Sequence, residues 1–331
     1  MQPTVPREPA VAFTPVGPAP AVAGSRIRAA VRAVRPHQWV KNALVPLPLV
    51  LAHVLPWRSA DTARQWAHAA GAFVAFCLTA SAVYVLNDLR DLPADRAHPT
   101  KRRRPFASGA LPPAWGPPLI AALAAGAAGL AAFLPPRFGL ALAAYAALSV
   151  AYCLWLKRKM LVDVFVLAGL YTLRLLAGGQ ASGVEVSRWL LAFATFFFVS
   201  LAFAKRYAEL RATADAGRPP PAGRGYAVAD LRVIESAGPA AGYLAVMVLA
   251  LYINDASGAA GRLYAEPIFL WLLCPLLMYW VTRVWFVAGR GQLDDDPILF
   301  AVRDRVSWAT LAAAAGLVLA AWQPWRGAGG M

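Results

Sequence analysis

Long apolar runs alternating with short polar stretches set the pattern of this chain. Nine segments approach the ~20 residues that cross a bilayer: about 42–57, 68–87, 117–134, 138–156, 162–181, 189–206, 236–253, 265–287 and 306–323. The pattern predicts an all-α integral membrane protein with about nine transmembrane helices, their ends uncertain by several residues because Pro and Gly interrupt several runs. Residues 1–24 differ. They carry six prolines in the first twenty positions and no apolar run of signal-peptide type. They are expected to form a disordered cytoplasmic tail ahead of a polytopic membrane domain over 25–331.

Composition agrees with this reading. The 331 residues are 59% apolar and only 15% charged, well under the roughly 25% of soluble domains. The net charge of +15 raises the question of nucleic acid, and its placement answers it. With the amino terminus inside, 24 of the 32 Lys and Arg fall in inside segments, 6 fall outside, and Arg174 and Arg283 lie within spans. That bias follows the positive-inside rule and makes anionic lipid the bulk partner. No basic groove with interleaved aromatics suggests nucleic acid. The expected location is the plasma membrane, multi-pass, with polar chemistry on the cytoplasmic side. Cys77, Cys153 and Cys274 sit in apolar runs without zinc-ligand spacing, as core residues do.

The candidate chemistry gathers at the inside ends of the even-numbered spans. After the second span comes NDLRDLPADRAHPTKRRRP. On a helix, Asp88, Asp91 and Asp95 would share one face. Like charges at that spacing call for a bridging cation, and Mg2+ binds through one or two carboxylates, waters and phosphate oxygens. The simpler alternative is a solvated helix end whose acids pair with the arginines that follow. Pro99 and Pro105 turn the basic run back, so Lys101 and Arg104 could hold phosphate oxygens or act only as a positive-inside anchor.

Arg174, in VFVLAGLYTLRLLAGG with Tyr171 a turn earlier, lies mid-span and needs an anionic partner, either a substrate or an aspartate of another helix. At the end of the sixth span, KRYAELR places Lys205, Tyr207, Glu209 and Arg211 at the boundary, where Lys205 and Glu209 could simply pair. Lys41 and Asn42 stand at the mouth of the first span, and Lys157 and Arg158 form the short loop after the fourth. The stretch QLDDDPILFAVRDR is read as a solvated loop.

With NDxxDxxxD on the second of nine helices and HPTKRRRP after it, the chain resembles the UbiA superfamily of intramembrane prenyltransferases from about Arg35 onward. That resemblance implies a ring of nine helices around a central polar cavity open to the cytoplasmic side. It also implies catalytic Asp88, Asp91 and Asp95 holding Mg2+, with Asn87 orienting the leaving group. Typical members carry a second aspartate-rich motif on the sixth helix, where this chain has KRYAELR. Together with RPHQWVKN, YTLRLLAGG and DDDPILFAVRDR, that departure resembles the decaprenyl-phosphate phosphoribosyltransferase branch.

The branch implies a donor, 5-phosphoribosyl 1-diphosphate, and an acceptor, a polyprenyl phosphate, giving a lipid-linked phosphoribose for arabinan of the cell wall. Substrate-binding residues would then be drawn from Lys41, Asn42, Asn87, Lys101, Arg104, Lys157, Arg158, Tyr171, Arg174, Lys205, Tyr207, Glu209 and Arg211. Other readings are an aromatic prenyltransferase using a polyprenyl diphosphate and a non-enzymatic lipid-phosphate transporter or scaffold. A homo-oligomer is compatible with all of them.

Overall fold

The computed structural model describes residues 23–52, 60–98, 100–217, 225–255, 264, 266–293 and 296–322. The tail expected over 1–24 lies, but for its last two residues, outside them. The chain is all α: α1 (Ala23–Val34), a 3-10 helix at Pro36–Leu44, α2 (Leu47–Ala52), α3 (Ala60–Arg90), α4 (Leu92–Ala97), α5 (Gly116–Ala132), α6 (Pro136–Leu154), α7 (Val162–Ser182), α8 (Arg188–Asp215), α9 (Leu231–Asn254), α10 (Leu273–Gly289), α11 (Pro297–Arg303) and α12 (Arg305–Trp322).

Seven helices among the described residues are long and apolar enough to cross a membrane: Asp61–Arg90, Pro113–Ala132, Pro136–Leu154, Val162–Ser182, Arg188–Asp215, Val228–Asn254 and Pro267–Gly289. The protein is therefore a multi-pass integral membrane protein. An eighth crossing arises if α11 and α12, bent by 85°, form one span. The bend has a local cause. Asp304 accepts hydrogen bonds from the Ser307 N–H and hydroxyl at 2.7 and 2.8 Å, capping α12, and it takes Arg283 through both oxygens at 2.7 and 2.9 Å. The first expected span, 42–57, is described only to Ala52 and begins as a 3-10 helix rather than an α-helix.

Packing follows the apolar pattern. α8 lies along α9, α3 along α5, and α7 contacts α3, α6 and α8. One core joins Phe198, Leu201 and Tyr207 of α8 to Trp280, Val284 and Trp285 of α10. A second joins Phe76 of α3, Phe138 and Tyr145 of α6 and Leu170 of α7. A third seats Ala29 and Ala33 of α1 on Val85, Phe106 and Leu111.

A void of about 540 Å3 between α3, α5 and α6 is walled by alanines, Leu86, Leu142 and Val150. It is apolar. The polar side chains expected to wall a central cavity pair with one another elsewhere.

One close approach governs the site. A Cβ on Gly178 of α7 would stand 1.7 Å from the Val45 carbonyl oxygen, so only glycine lets residues 36–45 lie on α7. Gly178→Ala is expected to destabilise the protein by ~1–3 kcal/mol, the usual range for overpacking. Gly129→Ala, where a Cβ meets nothing within 4 Å, is expected to leave stability equal or higher. Thermal unfolding of the two variants in detergent checks both.

Candidate active site

Two charge centres meet on the 3-10 helix at Pro36–Leu44. The first stands at the inside end of α3. Pro93 sits in the first turn of α4, and the chain kinks at Asp91, so the three aspartates do not share one straight helix face. Backbone bonds from Asp91 to Asn87 at 2.9 Å and from Asp95 to Asp91 at 2.8 Å keep helical register across the kink. The carboxylates therefore stay close enough to share partners. Arg104 donates from one nitrogen to Asp88 at 3.1 Å and Asp95 at 2.6 Å. Arg35 reaches Asp88 at 2.5 Å. Lys157 donates to Asn87 at 3.1 Å and to both oxygens of Asp91 at 2.9 and 3.1 Å. Asp88 and Asp95 are buried, and each acid has a base.

The acids thus pair with basic residues drawn from three segments, of which only Arg104 belongs to the run that follows them. Lys101 is half-buried, while Arg102 and Arg103 face outward. Arg35, which the sequence did not place among the site residues, turns into the site from a left-handed backbone (φ 57°) just before Pro36. That conformation leaves no signal in sequence beyond the Arg-Pro pair itself.

Among the described residues no group of three or more His, Cys, Asp or Glu is arranged to hold a metal by itself. One oxygen is nonetheless left over: Asp88 Oδ2 is buried with no hydrogen-bond partner among the described residues. A hard, acceptor-only oxygen of this kind, beside two further carboxylates, suits a cation that takes its remaining ligands from water and phosphate, as Mg2+ does.

The second centre lies ~12 Å farther along, since six residues of 3-10 helix at ~2 Å each separate Arg35 from Lys41. Lys41, buried, pairs with Asp296, and Lys205 of α8 reaches the same Asp296 oxygen at 3.4 Å. The other Asp296 oxygen caps α11, accepting from Ile298 and Leu299 N–H at 3.1 and 3.4 Å. Burial works against the Asp296 carboxylate, but the Lys205 and Lys41 ammoniums outweigh it and hold the group well below the usual carboxylate range.

Beside this pair lies Arg174 of α7. It donates to Asn42 at 2.8 Å, the Leu170 carbonyl at 2.6 Å and the Tyr145 hydroxyl at 2.7 Å. It also packs over the rings of Tyr145 and Tyr171 at 4.7 and 5.2 Å. Of the two partners the sequence left open, an aspartate of another helix is not found: no acid of the described residues pairs with Arg174, and neutral acceptors and π faces surround it. Three cations, Lys41, Lys205 and Arg174, therefore stand against one carboxylate, Asp296.

The remaining expected residues lie elsewhere. The Lys205–Glu209 pairing does not form, because Glu209 takes Arg206 instead. Tyr207 packs edge-on against Trp285 at 5.8 Å between ring centres. Arg211 is exposed and pairs with Asp215 at 3.0 Å. Arg158 is exposed in the turn after α6. Asp296 overturns the solvated-loop reading of QLDDDP. Its Asp-Pro pair is a helix-start signal that marks a cap but not the lysines it meets. Asp294 and Asp295 lie outside the described residues.

The chain is similar to proteins already known. The chain is 36% identical over 275 residues to the protein y4nM of Sinorhizobium fredii, covering 83% of this chain and 52% of that one. It is 40% identical over 181 residues to the decaprenyl-phosphate phosphoribosyltransferase of Mycolicibacterium smegmatis, covering 55% of this chain and 57% of that one. The matched region thus spans little more than half the length of either relative. In fold, a UbiA homologue from Archaeoglobus fulgidus, solved with DMAPP and Mg2+, superposes with a TM-score of 0.65 at 17% identity, over 88% of this chain and 99% of that one. The sequence profile of the UbiA prenyltransferase family matches residues 47–311. The chain belongs to the UbiA prenyltransferase family.

Proposed function

We propose that this protein transfers 5-phosphoribose from 5-phosphoribosyl 1-diphosphate to a polyprenyl phosphate and releases pyrophosphate. The observation that carries this reading is the unequal charge of the two centres. The first has three carboxylates matched by Arg35, Arg104 and Lys157. The second carries two more cations than acids among the described residues. An acidic centre suits a metal-bound diphosphate, and a cationic centre suits a separate phosphate held directly by Lys and Arg. A donor with phosphates at both ends of a sugar meets both requirements. A prenyl diphosphate has a phosphate group at one end only, and so leaves the second centre unmatched. The likeness to the M. smegmatis decaprenyl-phosphate phosphoribosyltransferase supports phosphoribosyl transfer to a polyprenyl phosphate.

In this reading Asp88, Asp91 and Asp95 would hold Mg2+, which when bound would supply neutralising charge for the leaving diphosphate. Asn87 and Lys157 orient that diphosphate, and Arg35 and Arg104 neutralise the oxygens the metal leaves free. Lys41, Lys205 and Arg174 hold the second phosphate, with Asn42, Tyr145 and Tyr171 fixing the guanidinium. An oxygen of the lipid phosphate then bonds to the anomeric carbon as the carbon–oxygen bond to pyrophosphate breaks. A phosphate monoester is already mostly ionised near neutral pH, so no strong base is needed. The site faces the cytoplasm, where the positive-inside loops lie.

Chelation by EDTA is expected to abolish transfer, and Mg2+ to restore it. Asp91→Asn is expected to lower turnover at least ~100-fold, about 2.7 kcal/mol of barrier, in a protein that still folds. Release of pyrophosphate from the two substrates in detergent measures both, and a variant keeping a third of the wild-type rate would exclude the metal role.

Lys205→Ala is expected to weaken affinity for phosphoribosyl diphosphate ~10–100-fold, the loss of a charge-assisted hydrogen bond. Arg211→Ala, on the exposed side of α8, is expected to stay within about twofold, since exposed pairs contribute ~0–1 kcal/mol. Calorimetric titration with Mg2+ present separates the two. Wild type that ignored this donor but consumed a polyprenyl diphosphate would instead be an aromatic-type prenyltransferase.

A further inference from the structure

Lys157 is the base that joins Asn87 to Asp91, and the loop that carries it is strained. Leu161 has φ 65° and ψ −47°, and the Val162 N–H donates to the Met160 carbonyl at 2.8 Å across it. This is a γ-turn with positive φ, a rare and costly conformation for any residue with a Cβ. Such a turn persists only where its surroundings over-determine it.

The surroundings come from the far side of α8. Tyr226, 5% exposed, accepts from the Leu161 N–H at 2.9 Å and donates to Asp163 at 2.7 Å. Asp163 and Arg206, both buried, pair at 2.5 Å, and Arg206 is tied in turn to Glu209 and to the Tyr152 hydroxyl at 2.9 Å. Gly225 closes the same contact. A Cβ there would lie 2.7 Å from the Met160 nitrogen and 2.8 Å from the Arg158 carbonyl oxygen. Residues 225–226 therefore grip the loop at Arg158, Met160 and Leu161, directly after Lys157.

We infer that Tyr226 is a positioning residue: its hydroxyl, backed by Asp163 and Arg206, holds the turn at Leu161 so that Lys157 meets Asn87, Asp91 and the diphosphate they take. The inference rests on the reading of the acidic centre as a diphosphate site. Without the hydroxyl, the Leu161 N–H loses its acceptor and Asp163 one of its donors. The turn then relaxes toward negative φ and carries Lys157 off Asp91. The Tyr226 ring has no part in the chemistry, so its effect passes through Lys157 alone.

The full-length protein with Tyr226→Phe, which keeps the ring, tests this in two ways. In hydrogen–deuterium exchange without ligand, the segment 157–163 is expected to exchange about tenfold faster, while the middle of α9 is unchanged, because only the local opening is affected. In calorimetry with Mg2+ and inorganic pyrophosphate, Tyr226→Phe and Lys157→Met are each expected to weaken binding by about tenfold or more. The double variant is expected to bind no more weakly than Lys157→Met, since residues acting through one contact do not add.

Unchanged exchange at 157–163, or losses that multiply in the double variant, would overturn the positioning role. Failure of the wild-type protein to bind pyrophosphate would instead remove the diphosphate site itself, and the exchange result would still decide whether Tyr226 holds the turn.

Discussion

Both charge centres depend on one backbone contact, the seating of residues 36–45 on α7 at Gly178. The Val45 carbonyl occupies the space a side chain would need, so this short segment can lie flat on the helix. From there Arg35 points to Asp88, while Lys41 and Asn42 point to Asp296 and Arg174. Arg174 stands one turn before Gly178 on the same helix face, which is why Asn42 is the residue that meets it. A bulkier residue at 178 would move Arg35, Lys41 and Asn42 together, since Lys41 and Asn42 lie on the 3-10 helix and Arg35 is the residue at its start.

Charge inside a membrane protein is costly, and this molecule meets the cost in three ways. The acidic centre balances three carboxylates with three bases. The network of Asp163, Arg206 and Glu209 pairs its charges and adds two tyrosine hydroxyls, so every strong group in it has a partner. At Arg174 the guanidinium is satisfied by an amide oxygen, a carbonyl, a phenol and two ring faces. That last solution gives each guanidinium nitrogen a hydrogen bond but leaves the charge unneutralised. A buried cation kept in this state favours binding of an anion, because the anion's Coulomb gain is large where the dielectric is low.

What was legible in the sequence was whatever repeats locally. The long apolar runs gave seven of the nine expected spans among the described residues, and an eighth if the bent pair is one span, and the Lys and Arg count gave their orientation as an expectation. The spacing of Asp88, Asp91 and Asp95 gave a group of acids that called for a bridging positive charge. The prolines at 99 and 105 marked where the chain would turn back, and Arg104 does return to Asp88 and Asp95. Arg174 stood out by being charged in mid-span.

The partners were not legible, because partner choice is made across distance. Lys41 and Asp296 are 255 residues apart, Arg174 and Asn42 are 132 apart, and Arg35 and Asp88 are 53 apart. Local spacing made Lys205 and Glu209 a natural pair, and packing gave Glu209 to Arg206 and Lys205 to Asp296 instead. Helical period says which residues of one helix share a face. Only the packing of helices says what that face meets. The sequence by itself therefore determined a spanning helical protein with an acidic cluster and several cations. The tertiary structure decided that the cations divide into a balanced centre and an unbalanced one, because that division depends on how closely one segment can approach α7.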